Sequence, residues 1–135
     1  MKKYENYASA LETLATAPDQ DLANEFVQSG IIDKFSLQFE LGWKLLKVLL
    51  AYEGDSLSAT GSPRDIIKAS YALYDFVDED TWLSMLRDRN TITHVYDEEK
   101  ELELVDTIIR RYIPAFMQLK EGLDTRYGAL LLAED

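Results

Sequence analysis

The segment at residues 35–52, FSLQFELGWKLLKVLLAY, constrains the fold more strongly than any other part of the sequence. Its first half, FSLQFELGW, alternates apolar and polar residues as a strand does. The whole segment, however, keeps one apolar helical face over a length that exceeds a typical strand. That face carries Phe35, Phe39, Leu46 and Leu50. We therefore expect a long helix here.

Two further features of this helix concern its packing. The spacing of Phe35, Phe39 and Trp43 places all three aromatic side chains on the side that should face the core. Gly42 lies beside them and should let a neighbouring helix approach closely. The helix should begin near residue 19 and end near residue 53, with a kink or break at Gly30.

Helical spacing also marks the two ends of the chain, which has only three prolines and six glycines. The first apolar stripe consists of Tyr4, Tyr7, Leu11 and Leu14, and it stops before Pro18. The last stripe consists of Val105, Ile108, Tyr112, Phe116, Leu119 and Leu123. Pro114 falls inside this second stripe and should kink the helix, because proline lacks a backbone donor and crowds the preceding turn.

Helix-start signals divide the middle of the chain. Ser62 is a predicted N-cap, followed by Pro63 at the first helical position and Asp65 in the first turn. The helix that they open should reach about residue 74. Asp78 should cap the next helix, which runs into RDRNTITHVY, and Asp97 should cap the last one.

These patterns predict an all-α fold, an up-and-down antiparallel bundle of four to five helices. The clearest loop is GDSLSATGSP at residues 54–63. At 135 residues the chain is long enough to bury a substantial core, and we expect one helical-bundle domain over residues 1–135.

Composition narrows the classes of function. The formal net charge of −11 should repel a phosphate backbone, so nucleic acid would need a local basic pocket or a second protein. The absence of cysteine excludes disulfides and thiolate metal sites and suits a cytoplasmic protein. No apolar run is long enough to span a membrane, and the first residues do not resemble a signal peptide.

RDRNTITHVY, at residues 87–96, holds the only histidine of the chain and is the candidate site. Arg89 supplies a permanent planar cation that suits a phosphate or a developing phosphorane. Asn90 supplies an amide, His94 can move a proton near neutral pH, and Tyr96 adds a phenol. Together these groups could cleave RNA without a metal ion, by activating the 2′-hydroxyl or protonating the leaving oxygen.

Helix geometry leaves an alternative open. Arg89 and His94 are five residues apart, which is roughly 140° around a regular helix. They can converge only if the helix loosens near Thr93, if the side chains reach around it, or if a second copy of the chain supplies one of them. Otherwise His94 marks a solvated helix end, where an imidazole is favourable. With one histidine and no cysteine we expect no metal site and no cofactor.

Three segments, in order, resemble the nucleotidyltransferase substrate-binding protein family: FELGWKLLKVLLAYEG at 39–54, SPRDIIKASYA at 62–72 and LRDRNTITHVYDEE at 86–99. The final helix, with its YIP sequence at 112–114, also fits. The resemblance extends from about Phe26 to Leu123. It places the chain in the HEPN superfamily of small α-helical bundles.

The resemblance implies a partner and roles for individual residues. Family members typically pair with a minimal nucleotidyltransferase, often encoded by an adjacent gene, and their name reflects binding of its substrate. Related HEPN proteins with an arginine, a polar residue, three further residues and a histidine are metal-independent ribonucleases. Several of them act as toxins, with the nucleotidyltransferase as antitoxin. Arg89, Asn90 and His94 match those positions. Tyr96 matches a tyrosine that the partner enzyme adenylylates in some paired toxins. The resemblance therefore implies a nucleotidyltransferase partner and either a nucleotide or RNA as ligand. We also expect a homodimer, because a second copy could bring two such motifs together.

Overall fold

The computed structural model describes residues 1–56, 60–94 and 97–133, with the backbone alone at His94. Its α-helices are α1 (Lys2–Leu14), α2 (Glu25–Tyr52), α3 (Pro63–Leu73), α4 (Glu79–Thr91), α5 (Glu98–Thr107), α6 (Ile113–Tyr127) and α7 (Ala129–Leu132). A π-helical turn, Ile108–Tyr112, joins α5 to α6. These ranges contain no strand, and the predicted all-α helical bundle is confirmed.

The long helix α2 is the central element, since α1, α3, α4 and α5 all pack against it. It begins at Glu25, where the Asn24 side chain accepts hydrogen bonds from the amides of Phe26 and Val27. The helix continues through Gly30, so the predicted break there is wrong. A helical glycine costs about 1 kcal/mol relative to alanine. Burial of Ile31 and other apolar side chains on the same helix outweighs that cost.

Close packing around Gly42 confirms the predicted approach of a neighbouring helix, and both α4 and α1 come close at this point. A methyl group at Gly42 would lie 2.9 Å from the Trp82 ring of α4 and 3.2 Å from the Tyr7 ring of α1. Phe39 is completely buried and contacts the Trp82 ring, with centroids 6.0 Å apart. Trp43 packs against the core but is only partly buried, so the predicted aromatic core stripe is fully buried at Phe35 and Phe39 and reaches the core edge at Trp43.

Two buried hydrogen bonds tie α1 to the bundle. The Tyr7 hydroxyl donates to the carbonyl of Phe116 in α6 at 2.7 Å. The Gln38 amide of α2 donates to the carbonyl of Tyr7 at 3.0 Å. Both bonds cross between helices in the interior, where an unpaired polar group would be costly. They therefore help to fix the position of α1 along its neighbours.

The predicted helix starts are confirmed. Ser62 and Asp65 form a capping box at the start of α3, with Pro63 at the first helical position. The Asp78 carboxylate accepts from the amide of Thr81 at the start of α4. The Asp97 carboxylate accepts from the amide of residue 99 at the start of α5. Each cap satisfies a backbone donor that the first helical turn leaves free.

The irregularity expected near Pro114 takes the form of the π turn that precedes it. The amide of Ile113 bonds to the carbonyl of Ile108, five residues earlier. In a regular α-helix the Pro114 ring would collide with the carbonyl four residues before it. The extra residue in the π turn widens the helix at this point. The chain then continues helically as α6.

None of the helices in the described ranges has the length and apolar character needed to cross a lipid bilayer.

Candidate functional site

The candidate motif spans the end of α4. Arg89 and Asn90 lie in the last turn of the helix, and Asn90 is exposed. The chain then passes into a 3₁₀ turn, Ile92–His94. The backbone of His94 lies in this turn, whereas its side chain and all of Tyr96 lie outside the described residues. Because the backbone departs from α geometry just before Thr93, the separation of Arg89 and His94 expected for a regular helix does not apply.

The Arg89 side chain is held between α4 and α2. Its guanidinium forms an ion pair with the Glu40 carboxylate and lies over the Phe39 ring, 5.3 Å from the centroid. The side chain is 25% exposed, and its Nε is buried without a hydrogen-bond partner among the described residues. Aromatic stacking and a paired carboxylate both suit guanidinium better than the ammonium of lysine. Arg89 is therefore positioned by the fold rather than free in solvent.

Glu40 is a site residue that the sequence analysis missed. Its second oxygen lies 3.5 Å from the Lys44 ammonium, one turn further along α2. This local pair is readable from the sequence, because glutamate and lysine four residues apart face each other on a helix. The contact with Arg89 is not readable, because it depends on how α4 packs against α2.

A small cleft of about 150 Å³ lies beside the 3₁₀ turn. Its lining consists of Ser29, Ile32, Asp33, Ile92 and Glu101. The Ser29 hydroxyl donates to the Glu101 carboxylate at 3.3 Å, which links α2 to α5. With carboxylates in its wall and no cation, this cleft is a poor place for a phosphate group.

A second polar cluster, also absent from the sequence analysis, lies on a different face of α4. The nearly buried Ser84 hydroxyl accepts from Arg87 at 3.0 Å and from Arg111 of the π turn at 3.2 Å. It also lies 2.8 Å from the Tyr112 hydroxyl, which donates to the Asp88 carboxylate. Burial, and then the hydrogen bond to Asp88, raise the pKa of Tyr112 to about 12. The tyrosine is therefore a neutral donor at physiological pH.

Metal coordination receives no support from the described part of the chain. No three histidine, aspartate or glutamate side chains in that part come together in an arrangement that could hold a metal ion.

Comparison with known proteins identifies one family. No curated protein sequence shows significant similarity to this chain. A family model described as nucleotidyltransferase substrate binding protein like matches residues 2–125, from the start of α1 to near the end of α6. The match includes the whole of α4 and the motif that spans its end. The chain therefore belongs to the nucleotidyltransferase substrate-binding protein family.

Proposed function

We propose that this protein is the partner subunit of a minimal nucleotidyltransferase and binds a nucleotide or another substrate for that enzyme. The observation that carries the proposal is the family match over residues 2–125. The chain would work in the cytoplasm, without a cofactor, as a single helical-bundle domain. Its net charge of −11 favours a partner with a basic contact surface.

A surface beside the motif suits such a partner. Phe26, at the start of α2, is 88% exposed, and Leu102 of α5 is 42% exposed. The hydrogen bond between Ser29 and Glu101 joins these two helices, one turn from Phe26 and next to Leu102. Aromatic residues exposed on a polar surface are the kind of anchor that protein interfaces bury.

Co-purification with the product of the neighbouring gene tests this proposal. We expect a stable complex with the nucleotidyltransferase, and we expect Phe26→Ser to weaken it. Leu132→Ser is the matched control, because Leu132 is 72% exposed at the other end of the sequence, in α7. Separate elution of the two wild-type proteins at micromolar concentration would exclude the proposal.

We further propose that the two proteins form a toxin–antitoxin-like pair in which the enzyme adds AMP to Tyr96. The position of Tyr96, two residues after His94, supports this reading. Incubation with ATP and the partner should raise the intact mass by one AMP, and Tyr96→Phe should abolish the rise. Tyr71→Phe, at an exposed tyrosine of α3, should leave it unchanged. An equal rise in the Tyr96→Phe protein would show that a different residue is modified.

The second candidate function is a metal-independent endoribonuclease. Arg89 would stabilise the charge on the phosphorane, Asn90 would donate hydrogen bonds and His94 would transfer the proton. The fixed position of the Arg89 guanidinium favours this role, since catalysis benefits from groups that need no reorganisation. Glu40 opposes it, because its carboxylate neutralises Arg89. A homodimer in which a second copy approaches the end of α4 would bring the groups of both chains together.

Expression in cells distinguishes this candidate from the binding role. A ribonuclease should slow growth and degrade RNA, and His94→Ala should prevent both effects. Thr93→Ala, in the same 3₁₀ turn, is the matched control. Equal growth and intact RNA with the wild type and His94→Ala would eliminate the activity and leave the binding role in place.

A further inference from the structure

The cluster formed by Ser84, Arg87 and Arg111 has an unusual balance of charge for so acidic a protein. Both guanidinium groups donate to the same hydroxyl oxygen, so two positive charges lie close together. Like charges at short range repel unless an anion compensates them. The carboxylate that pairs with this cluster is Asp88, whose Oδ1 lies 3.8 Å from Arg87 Nε. That carboxylate also accepts a hydrogen bond from the Tyr112 hydroxyl.

Three other arginines of the chain are neutralised directly by a carboxylate. Arg89 pairs with Glu40, Arg110 pairs with Asp106 at 2.7 Å, and Arg126 pairs with Glu53 at 2.9 Å. Arg111 differs from them, because no carboxylate pairs with it among the residues that the structure describes. Its partner there is the neutral Ser84 hydroxyl.

The hydrogen bonds around Ser84 have a fixed direction. A hydroxyl oxygen has two lone pairs, and the two arginines use both of them. The Ser84 hydrogen must therefore go to Tyr112, and the Tyr112 hydrogen goes to Asp88. This series of hydrogen bonds holds both guanidinium groups in place, and it uses only one N–H donor of each guanidinium. A guanidinium has five such donors, so most of them remain available to a ligand. The Arg87 side chain is 72% exposed, so its remaining donors are accessible from solvent.

The π turn is what brings Arg111 into this position. It ends two residues before Pro114 and packs against α4, so Arg111 and Tyr112 both face Ser84. π turns inside helices occur frequently at functional sites. A pair of arginines held by a buried side chain matches the geometry of a tetrahedral oxyanion, since each guanidinium can donate two parallel hydrogen bonds.

We propose that Ser84, Arg87 and Arg111 form a binding site for a phosphate group of a nucleotide, on a different face of α4 from the Arg89–Glu40 pair. The phosphate oxygens accept from the outer N–H groups of both arginines. Ser84 positions the guanidinium groups and does not touch the ligand. The phosphate belongs either to a free nucleotide or to a nucleotide within an RNA strand.

Isothermal titration of the full chain at low salt tests the site with inorganic phosphate, ATP and a short single-stranded oligoribonucleotide as separate probes. We expect Arg87→Gln and Arg111→Gln each to weaken binding at least about tenfold, because hydrogen bonds to a charged group are lost. Arg110→Gln is the matched control. It removes the same charge from the same π turn, but its partner is Asp106. Its effect should be small.

The probes separate the two sources of phosphate. Binding of inorganic phosphate or ATP that requires both arginines identifies a site for free nucleotides. Binding of the oligoribonucleotide alone, with the same requirement, identifies an RNA site. If no probe binds the wild type, or if Arg110→Gln weakens binding as much as Arg111→Gln, the proposal is wrong. Should Arg111→Gln fail to fold, Arg111→Lys keeps the charge and should still weaken binding, since it lacks the planar fork.

The choice of a nucleotide as the source of the phosphate rests on the proposed function, but the oxyanion site itself does not depend on the partnership. The same variants can be mixed with the nucleotidyltransferase, and complex formation can be measured separately from phosphate binding. Loss of phosphate binding with an intact complex supports the site. A weaker complex in Arg111→Gln, with no phosphate binding by the wild type, would instead show that the arginines contact the partner and would overturn the proposal.

Discussion

At the scale of single residues, the two glycines of α2 show how packing decides what a sequence position tolerates. Gly30 has no atom within 4 Å of the place where a Cβ would lie, whereas Gly42 faces the Trp82 and Tyr7 rings at 2.9 and 3.2 Å. Both residues are glycine within one helix, and the sequence alone predicted a helix break at the first. The difference between them comes entirely from neighbouring helices.

Alanine substitution should therefore have opposite effects at these positions. Gly30→Ala should raise the free energy of unfolding by about 0.5–1 kcal/mol, because alanine is the better helix former. Gly42→Ala gains the same propensity but must displace the buried Trp82 ring, which typically costs about 1–3 kcal/mol. The expected net result is destabilisation. Urea denaturation of both variants measures this, and a more stable Gly42→Ala protein would contradict the packing described here.

Arg89 is the residue whose surroundings were least predictable from the sequence. The motif RNTITH identified this arginine as a candidate, and the family match includes it. Nothing local predicted that Glu40, 49 positions away, would pair with its guanidinium. A glutamate in a helix normally faces solvent, so its role becomes visible only once α2 and α4 are packed together. A catalytic Arg89 would have to act while its guanidinium is paired with this carboxylate.

At the scale of helices, the starts were predictable because their signals are local. Ser62, Asp78 and Asp97 each precede a helix and accept a backbone hydrogen bond within three residues. The π turn was not predictable in form, although Pro114 indicated that the last helix must be irregular. The convergence of Arg87 and Arg111 on Ser84 depends on that turn, so no local pattern indicated the second cluster.

The cap of α4 can be tested directly. Asp78→Ala should lower the free energy of unfolding by about 1 kcal/mol, because the amide of Thr81 loses its acceptor. Asp78→Asn should cost much less, since asparagine is an equally good cap. Denaturant titration of the two variants compares the values. An equal loss in both would mean that the charge of Asp78, rather than its hydrogen bond, stabilises the helix.

At the scale of the whole molecule, helical periodicity was sufficient to predict the fold class. The apolar stripes of α1, α2 and α6 are buried together in one core. Oligomeric state and partner are properties of surfaces, which periodicity does not report. Phe26, for example, is exposed at the start of α2, although it lies in the same helix as the predicted apolar face that is buried. Family membership therefore contributes more to the proposed function than the bundle itself does.

Buried tyrosines should make the protein sensitive to alkaline pH. Burial raises the pKa of Tyr7 well above 10.0, and burial and Asp88 raise the pKa of Tyr112 to about 12. Because the folded state favours the neutral phenol, the raised pKa values contribute to the free energy of unfolding. This contribution is complete below the unfolded pKa of 10.0. It is lost as the pH rises through the folded pKa values.

We therefore expect the free energy of unfolding to stay level up to about pH 10 and to fall above it. Urea titrations across this range measure the trend, and Tyr112→Phe should make the decline shallower. Phenolate absorbance provides a second readout. If all eight tyrosines ionised in a single step near pH 10 without loss of helicity, the described burial would be wrong.

The two interior hydrogen bonds of Tyr7 have a consequence for motion. A helix at the edge of a bundle usually detaches before the rest of the molecule opens. For α1 to detach, the Tyr7 hydroxyl must leave the Phe116 carbonyl and the Gln38 amide must leave the Tyr7 carbonyl, and both side chains are completely buried. Deuterium should consequently exchange into the amides around Tyr7 as slowly as into those of α2, so that the first helix opens only when the whole core does.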